Sequence, residues 1–597
     1  MRYAELVEVY EELSRTSKRL EIRAALVRLL KAADPEELPE VLYLSQGLLR
    51  PEYEGIELGM ADALARRAVA EATGSDEATV ERAVRRSGDL GTTAEELLVP
   101  REASHSGQRS LSVKEVYDAC MGIARASGSG SQEAKNGLLT ALLARASPTE
   151  AKYIVRFVLG KLRLGVREMT ILDALNEAFA GGTKADRTEI EDAFNRSSDL
   201  GLVARALVKE GVGGMKGIEL EVGRPVRAML AERSRDLKEL LERLGGEAAV
   251  EYKYDGLRVQ AHVPAHGPVK LFSRRLEDIS DQFPELLEEL PKALRRRPTI
   301  VEGECVAIDP QTEEIRPFQE ISRRRGRKYD LERMQEEVPV RLFLFDILLD
   351  AKGVQAGRPL PERRKILEGL VGRSERVHLA TQEIVRTVEE AQRFLDAAIA
   401  AGCEGLMAKS IAKDSIYKAG ARGFLWIKYK RDYTQGLVDS IDGVVVGAFD
   451  GRGRRAGRYG ALLLAVYNPD KDRFESFTKI GTGFDDATLE RLPKMLKQYE
   501  RADRPANVLT MLEPDHWLDP GLVLEVQGAE LSVSPNHRAA VGIVGPESGL
   551  ALRFPRFTGR FRSDKAPTDA TTTQELLRLY HSQVRKAPTR SADATET

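Results

Sequence analysis

The hydrophobic pattern of this chain changes period twice, and each change sets a different fold class. Across 1–215 the apolar positions are spaced for helices: Leu6, Val9, Tyr10 and Leu13 share one face, and Leu20, Leu26, Val27 and Leu30 continue it. Strand-like alternation is scarce there, so this stretch predicts an all-α N-terminal domain. Ser127-Gly128-Ser129-Gly130-Ser131 reads as a loop, with Ser131 expected to cap the next helix. Gly211-Val212-Gly213-Gly214 breaks the helical pattern, and 216–245, passing Arg224-Pro225-Val226, reads as a linker and entry to the next domain. Across 246–432, β-like runs at 249–252, 259–263, 300–308 and 341–349 alternate irregularly with helical patterns at 284–294 and 388–401. That irregularity predicts an α+β domain on antiparallel sheets rather than a Rossmann domain. Across 433–565 the pattern is mostly β, with short runs at 444–446, 461–466, 474–479 and 522–526 and turns at Gly451, Gly453, Gly457 and Gly483. A small β-barrel fits this spacing. The remainder, 566–597, reads as a partly disordered tail with one amphipathic stretch at 574–584.

A chain of 597 residues has room for roughly three or four such domains. No apolar run approaches the ~18 residues of a membrane span, and Met1-Arg2-Tyr3-Ala4-Glu5 lacks a signal-peptide core. Cys120, Cys305 and Cys403 are too dispersed for a disulfide framework or a Cys-rich metal site, which suits a reducing cytoplasm. The net charge of −2 hides three basic clusters. These are Arg323, Arg324, Arg325, Arg327 and Lys328; Arg452, Arg454, Arg455 and Arg458; and Arg553, Arg556, Arg560 and Arg562. One such cluster alone reads as a solvated face; three together point to a polyanionic partner.

The chemistry is concentrated in a few stretches. No phosphate-binding loop is present, because Gly160-Lys161 is followed by Leu162 rather than Ser or Thr. Gly451-Arg452-Gly453-Arg454-Arg455-Ala456 matches the loose dinucleotide pattern, but the next segment, 459–466, reads as a strand where that pattern needs a helix. Neither HExxH nor paired CxxC occurs, so zinc has no support. The informative stretch is Glu251-Tyr252-Lys253-Tyr254-Asp255-Gly256-Leu257-Arg258, directly after the apolar Ala248-Ala249-Val250. A free lysine titrates near pH 10.4, so a nucleophilic Lys253 needs a downward shift of about 3 pH units, or about 4 kcal/mol. Neighbouring cations, a bound metal and partial burial all act in that direction. Arg258 is the nearest cation in sequence, and Lys428 and Lys430 project from one side of the strand-like run 425–430. Glu302-Gly303-Glu304 and Glu404-Gly405 place carboxylates at the edges of apolar runs, as Mg²⁺ ligands beside phosphates are placed, although a lone Glu-Gly pair also makes a turn. Phe345, after Leu342-Phe343-Leu344, serves either as core or as a platform for a purine.

Taken in order, these stretches resemble the ATP-dependent DNA ligases of the archaeal and eukaryotic type, within the covalent nucleotidyltransferase superfamily. The series is Lys253-Tyr254-Asp255-Gly256-Leu257-Arg258, Phe272-Ser273-Arg274-Arg275, Glu302-Gly303-Glu304, Leu344-Phe345-Asp346, Glu404-Gly405-Leu406-Met407-Ala408-Lys409 and Trp426-Ile427-Lys428-Tyr429-Lys430. Leu552-Arg553-Phe554-Pro555-Arg556-Phe557 resembles the family's last motif, and Gly160-Lys161-Leu162-Arg163-Leu164-Gly165 its helical domain. The resemblance implies a helical DNA-binding domain, a nucleotidyltransferase (adenylation) domain and an OB-fold barrel. It implies that Lys253 takes AMP from ATP, passes it to the 5′-phosphate of a nick, and that the 3′-hydroxyl then seals the strand, as in DNA replication, repair and recombination. It assigns Glu251 to the adenine, Phe345 to stacking on it, and Glu304 and Arg258 to the ribose side. Arg274, Arg422 and Lys428 would contact the nucleotide or its phosphates, with Lys430 assisting. Glu404, with Glu304, would hold Mg²⁺, and Arg553 and Arg556 would assist adenylation from the barrel. Many members carry Asp-Gly-Glu where this chain has Glu302-Gly303-Glu304, which leaves open which acid reaches the site. The implied partner is nicked duplex DNA, the implied state a monomer in a prokaryotic cytoplasm at the nucleoid. Gln108-Arg109-Ser110-Leu111-Ser112-Val113 lacks the paired aromatics of a sliding-clamp peptide, so a tight clamp contact is not expected.

A capping guanylyltransferase or an RNA ligase would share the lysine stretch, but neither needs the long helical region ahead of it. An NAD-dependent ligase is disfavoured by the missing four-cysteine module. A nick-binding scaffold without catalysis would use the same basic clusters, since phosphate contacts carry no chemistry; the intact lysine, arginine and acid set weighs against it.

Overall fold

The computed structural model describes residues 1–102, 110–162, 164–295, 297–309, 313–316, 318–324, 331–430, 440–451, 458–528, 530–553 and 555–584. Arg325, Arg327 and Lys328, Arg452, Arg454 and Arg455, Gln108 and Arg109, Arg163 and Phe554 lie outside the described residues. The chain divides into two compact units, Met1–Tyr429 and Lys430–Thr597.

The first unit opens with helices running from Tyr3–Ser14 to Leu200–Glu210. Their starts obey local chemistry. At Ser147 the hydroxyl accepts the Glu150 N–H and the Glu150 carboxylate accepts the Ser147 N–H at 2.8 Å, with Pro148 first in the helix. Ser131 does not cap its helix; Gly130 does, at φ 80°, a left-handed conformation that serine would strain to adopt. The apolar stripes meet in one core where Tyr10 and Tyr153 pack edge to face at 5.4 Å.

The middle region contains strands β1 (Leu230–Arg233), β2 (Ala248–Lys253), β3 (Leu257–Val263), β4 (Lys270–Ser273), β5 (Thr299–Ala307) and β6 (Val340–Asp350). It continues with β7 (Gly353–Val354), β8 (Val377–Leu379), β9 (Gln382–Val385), β10 (Gly405–Lys409) and β11 (Arg422–Lys430). One sheet has the order β1-β11-β10-β2-β9; the other runs β4-β3-β5-β6-β7, with β8 on β6. Pairing is mostly antiparallel, as expected, but β1 lies parallel to β11 and β8 parallel to β6. The stretch read as a linker thus adds a strand to the sheet, and helix Leu237–Arg243 besides.

Alternation along β3 and β5 gives the second sheet two unlike faces. Val259, Ala261, Val301 and Cys305 sit in a core with Leu286, Leu290 and Leu367 from helices Pro284–Ala293 and Leu360–Leu370. Each fully buried valine or leucine among them contributes about 1.5–3 kcal/mol. The opposite face carries Arg258, Gln260, His262, Glu302 and Glu304. That face meets the first sheet through Ile300, Leu348, Phe345, Met407 and Trp426. Gly256 is required where β2 turns into β3, because a Cβ there would lie 2.3 Å from the Cys305 carbonyl oxygen. Of the first basic cluster, Arg324 is no surface charge: it is buried, bonded to both Glu285 oxygens, and its guanidinium lies 4.7 Å from the Phe283 ring centre.

The second unit is strand-rich. Ile441–Asp450 pairs with Tyr459–Asn468, His516–Leu518 and Val523–Gln527, and Tyr459–Asn468 pairs with Arg473–Ile480. Leu462, Leu464, Phe477 and Val526 form its core. The amphipathic stretch read as part of a tail is helix Thr573–Val584, and it buries Leu576 in that core. Its first turn is anchored by buried Glu475, which accepts from Thr573 Oγ1 at 3.1 Å, Ala540 N at 3.0 Å and Asn468 Nδ2 at 2.9 Å.

Candidate active site

The register of β2 on β10 sets Gly405 opposite Lys253 and Met407 opposite Glu251. Glu251 and Lys253 are two residues apart and face the same side. The Lys253 ammonium forms an ion pair with Glu404, whose backbone N–H donates to the Lys253 carbonyl at 2.9 Å. Burial works against the ammonium, but the charges of Glu404 and Glu304, the Glu404 hydrogen bond and Asp255 outweigh it, so its pKa lies above the usual lysine value. This reverses the expectation that neighbouring cations push the amine down. Arg258, the cation expected to do so, is instead committed to Glu302 at 2.7 Å.

The acids repel one another. Burial lifts Glu304 to about 7 against the pull of Lys253 and Arg258, with Glu404 and Asp255 adding to the rise. Burial and then Glu404 raise Asp255, while the Phe318 N–H, donating to it at 3.2 Å, lowers it. Of the two acids left open, Glu304 is the one beside Lys253; Glu302 is buried and saturated by Arg258, Tyr417 and Gln260. Among the described residues no three His, Cys, Asp or Glu side chains converge to hold a metal ion by themselves. Mg²⁺ does not require that, because it binds through one or two carboxylates with waters and substrate phosphates. Glu404 and Glu304, the two acids that act most strongly on Lys253, fit such an ion.

At the end of β10, Lys409 is buried, with its ammonium 4.6 Å from the Phe345 ring centre and 4.4 Å from that of Trp426. It pairs with Glu251 at 2.7 Å, and Gln382 Nε2 donates to the other Glu251 oxygen at 2.8 Å. Phe345 meets Trp426 edge-on, with centres 6.0 Å apart. The strand carrying Phe345 is pinned by its neighbour Asp346, which takes both arms of Arg363 at 2.7 and 3.0 Å with neither side chain exposed.

The remaining expected residues are more scattered. Lys428 is half-buried on β11, two residues from Trp426 and on its side; Lys430 ends the strand. Arg422 is exposed at the head of β11, and no hydrogen bond or ion pair joins it to the Lys253 cluster among the described residues. Arg274 lines a separate cavity of about 620 Å³ between the helical region and the middle region, with Arg275, Arg227, Glu168 and Glu52. Arg553 and Arg556 belong to the second unit, on strands Gly549–Arg553 and Arg556–Phe561.

A family model described as the ATP dependent DNA ligase domain matches residues 228–430, one described as the DNA ligase N terminus matches 2–176, and one described as the ATP dependent DNA ligase C terminal region matches 455–565. The chain belongs to the ATP-dependent DNA ligases. This ligase is 48% identical to DNA ligase 2 of Thermofilum pendens, covering 98% of each chain. It is 46% identical to the probable DNA ligase of Aquifex aeolicus over 99% of this chain and 100% of that one. Its fold resembles the solved structure titled Pmar-Lig_Pre. at a TM-score of 0.55 and 17% identity, covering 94% of this chain and 99% of that one.

Lys409, Trp426 and Asp346 lie within the ligase's motifs, but sequence reasoning gives them no role and passes over Tyr417 and Gln382. Lys409 carries a usable signal: a lysine closing an apolar strand needs a buried partner. Nothing in the sequence around Tyr417 or Gln382 indicates that they meet Glu302 and Glu251, which are far away along the chain.

Proposed function

We propose that this ligase seals nicks in duplex DNA through AMP carried on Lys253. The observation that carries the reading is the Lys253 amine, set among Glu404, Glu304 and Asp255, with Glu251 two residues away on the same strand and Phe345 and Trp426 packed together on neighbouring strands. The amine attacks the α-phosphate of ATP. The ammonium first loses one proton to become the nucleophile; a bond then forms from Nζ to phosphorus, the bond to pyrophosphate breaks, and a second proton leaves the nitrogen, both protons going by way of the carboxylates around it. The resting amine is protonated, so the acids have to be neutralised before attack. Glu404, with Glu304, would hold Mg²⁺, which when bound would supply that neutralisation and offset the phosphate charge. Glu251, kept in place by Lys409 and Gln382, offers an acceptor to the adenine amino group, and Phe345 a face for the ring. Arg258 reaches the ribose side; its Nε is buried without a hydrogen-bond partner among the described residues. Lys428, Lys430, Arg274 and Arg422 are proposed as contacts for phosphates of ATP or DNA.

The same reading takes 1–215 as a DNA-binding domain, 216–245 as its connection, 246–432 as the adenylation domain and 433–565 as an OB-type barrel joined by the helix that comes after it. Arg553 and Arg556 from that barrel assist adenylation, and a monomer acts on nicked duplex without a tight clamp contact. No helix among the described residues is long and apolar enough to cross a membrane.

The test is incubation with Mg²⁺ and α-labelled ATP. A label that survives denaturation, is absent in Lys253→Ala and moves to a nicked duplex added afterwards is expected. A folded protein that acquires no label overturns the reading. Labelled GTP and NAD⁺ establish nucleotide choice.

A further inference from the structure

We propose that Glu302 is a positioning residue: it aims Arg258 into the nucleotide pocket and ties that guanidinium to the segment entering from the helical region. The proposal rests on the proposed function, in which Arg258 acts on the nucleotide.

Glu302 lies on β5 two residues before the Glu304 that faces Lys253, yet both oxygens of its carboxylate are taken by protein. Oε2 accepts from Arg258 Nη2 at 2.7 Å and from the Tyr417 hydroxyl at 2.8 Å, while Oε1 accepts from Gln260 Nε2 at 3.2 Å. The residue is 1% exposed. A carboxylate so bonded and so enclosed is spent on its neighbours and has no room for a metal ion.

The partners of Glu302 are themselves fastened to one stretch of chain. Arg258 Nη1 donates to the Met229 carbonyl at 2.8 Å, and the Tyr417 hydroxyl accepts the Met229 N–H at 2.9 Å. Gln260 binds Val226 at both ends, accepting its N–H at 2.7 Å and donating to its carbonyl at 3.0 Å. His262 accepts the Gly223 N–H at Nδ1, 2.9 Å, so its Nε2 carries the proton given to Gln260 Oε1 at 2.9 Å. Burial pushes this imidazole down to about 3, so it stays neutral and keeps that tautomer. Arg258, Gln260 and His262 are alternate residues of β3, and together they fasten residues 223–229 across the polar face of the second sheet. That segment is held from the helical side too: the Arg227 N–H donates to the Asn195 carbonyl at 2.9 Å and its guanidinium pairs with Glu168.

Arg258 is left with one orientation. Its guanidinium lies 5.4 Å from the Phe345 ring centre and 5.5 Å from that of Trp426, with Nη1 and Nη2 engaged and Nε unpartnered among the described residues. Glu302 is the one carboxylate bonded to this buried cation among the described residues. An aspartate there would fall short by about 1.5 Å, one carbon–carbon bond.

The experiment measures the rate of Lys253 adenylation against ATP concentration in the full chain, with thermal unfolding recorded for each variant. Glu302→Gln keeps the shape and removes the charge. It is expected to raise the half-saturating ATP concentration about tenfold or more, with a smaller effect on the maximal rate. Arg258→Lys is expected to do the same, and the double variant to be no worse than Arg258→Lys alone, because Glu302 acts through Arg258. Tyr417→Phe removes one donor without stranding a charge, and is expected to raise half-saturating ATP a few-fold even if Glu302→Gln does not fold. A defective Arg258→Lys beside unchanged ATP dependence in Glu302→Gln or Tyr417→Phe overturns the positioning role, as does an additive loss in the double variant. Wild-type behaviour of Arg258→Lys overturns the nucleotide role of Arg258 itself.

Discussion

Replacing Glu304 by glutamine should make the ligand-free protein more stable at pH 8 while abolishing adenylation of Lys253. The Glu304 carboxylate is half-buried and makes no hydrogen bond among the described residues. Burial lifts its pKa from the ordinary 4.5 to about 7. The folded protein therefore holds this proton more tightly than the unfolded chain does. The contribution to stability is greatest below pH 4.5, falls as pH rises through the window from 4.5 to about 7, and is level above it. At about 1.36 kcal/mol per pH unit, that window corresponds to a penalty of about 3 kcal/mol at pH 8. Glutamine carries no charge and escapes the penalty; the attraction of Glu304 to Lys253 and Arg258 is already included in it. The assay is thermal unfolding of both proteins, without nucleotide or metal, at pH 5 and pH 8. The expected outcome is a variant that melts a few degrees higher at pH 8, with the difference shrinking towards pH 5. A variant that is equally or less stable at pH 8 refutes the reasoning, because the acid would then be satisfied in the folded state rather than held in reserve for a cation. The trade is the one expected where a site keeps a strained group for its ligand.

Other perturbations probe different links. Arg363→Met strands the buried Asp346 carboxylate and should cost about 3–5 kcal/mol in unfolding, much of it recovered by adding Asp346→Asn. Leu576→Ala should destabilise the second unit by about 2–4 kcal/mol, visible in its own unfolding transition, if the helix Thr573–Val584 is part of that unit's core. Arg553→Ala or Arg556→Ala should slow formation of the Lys253 adduct far more than sealing of a pre-adenylated nick; equal losses in both assays would contradict a role confined to adenylation.

The fold class was legible because it rests on periodicity. A helix shows its buried stripe every three or four residues and a half-buried strand every second residue, so the division into helical, mixed and strand-rich regions could be read locally. The lysine, the acids and Arg258 of the candidate site were legible too, as short stretches in a fixed order, whereas Arg274 and Arg422, read alongside them, lie apart from the Lys253 cluster. Periodicity could not show where a side chain finds its partner. Arg324 looked like one cation of a surface cluster, but Glu285 draws it inside. The stretch after residue 566 looked like a tail because the apolar face of Leu576, Leu579 and Tyr580 has nothing to pack against until the strands of its own unit are folded beneath it.

The sequence by itself determined which groups the candidate site contains: a lysine, carboxylates, cations and aromatic rings. Tertiary structure alone decided what each of them does to the others. Lys253, Asp255, Glu304 and Glu404 come from strands and turns of both sheets, and Coulomb interactions depend on separation in space, not along the chain. That is why Lys253 rests as an ammonium among acids, why Glu304 faces it, and why Glu302, two residues earlier, is spent on Arg258.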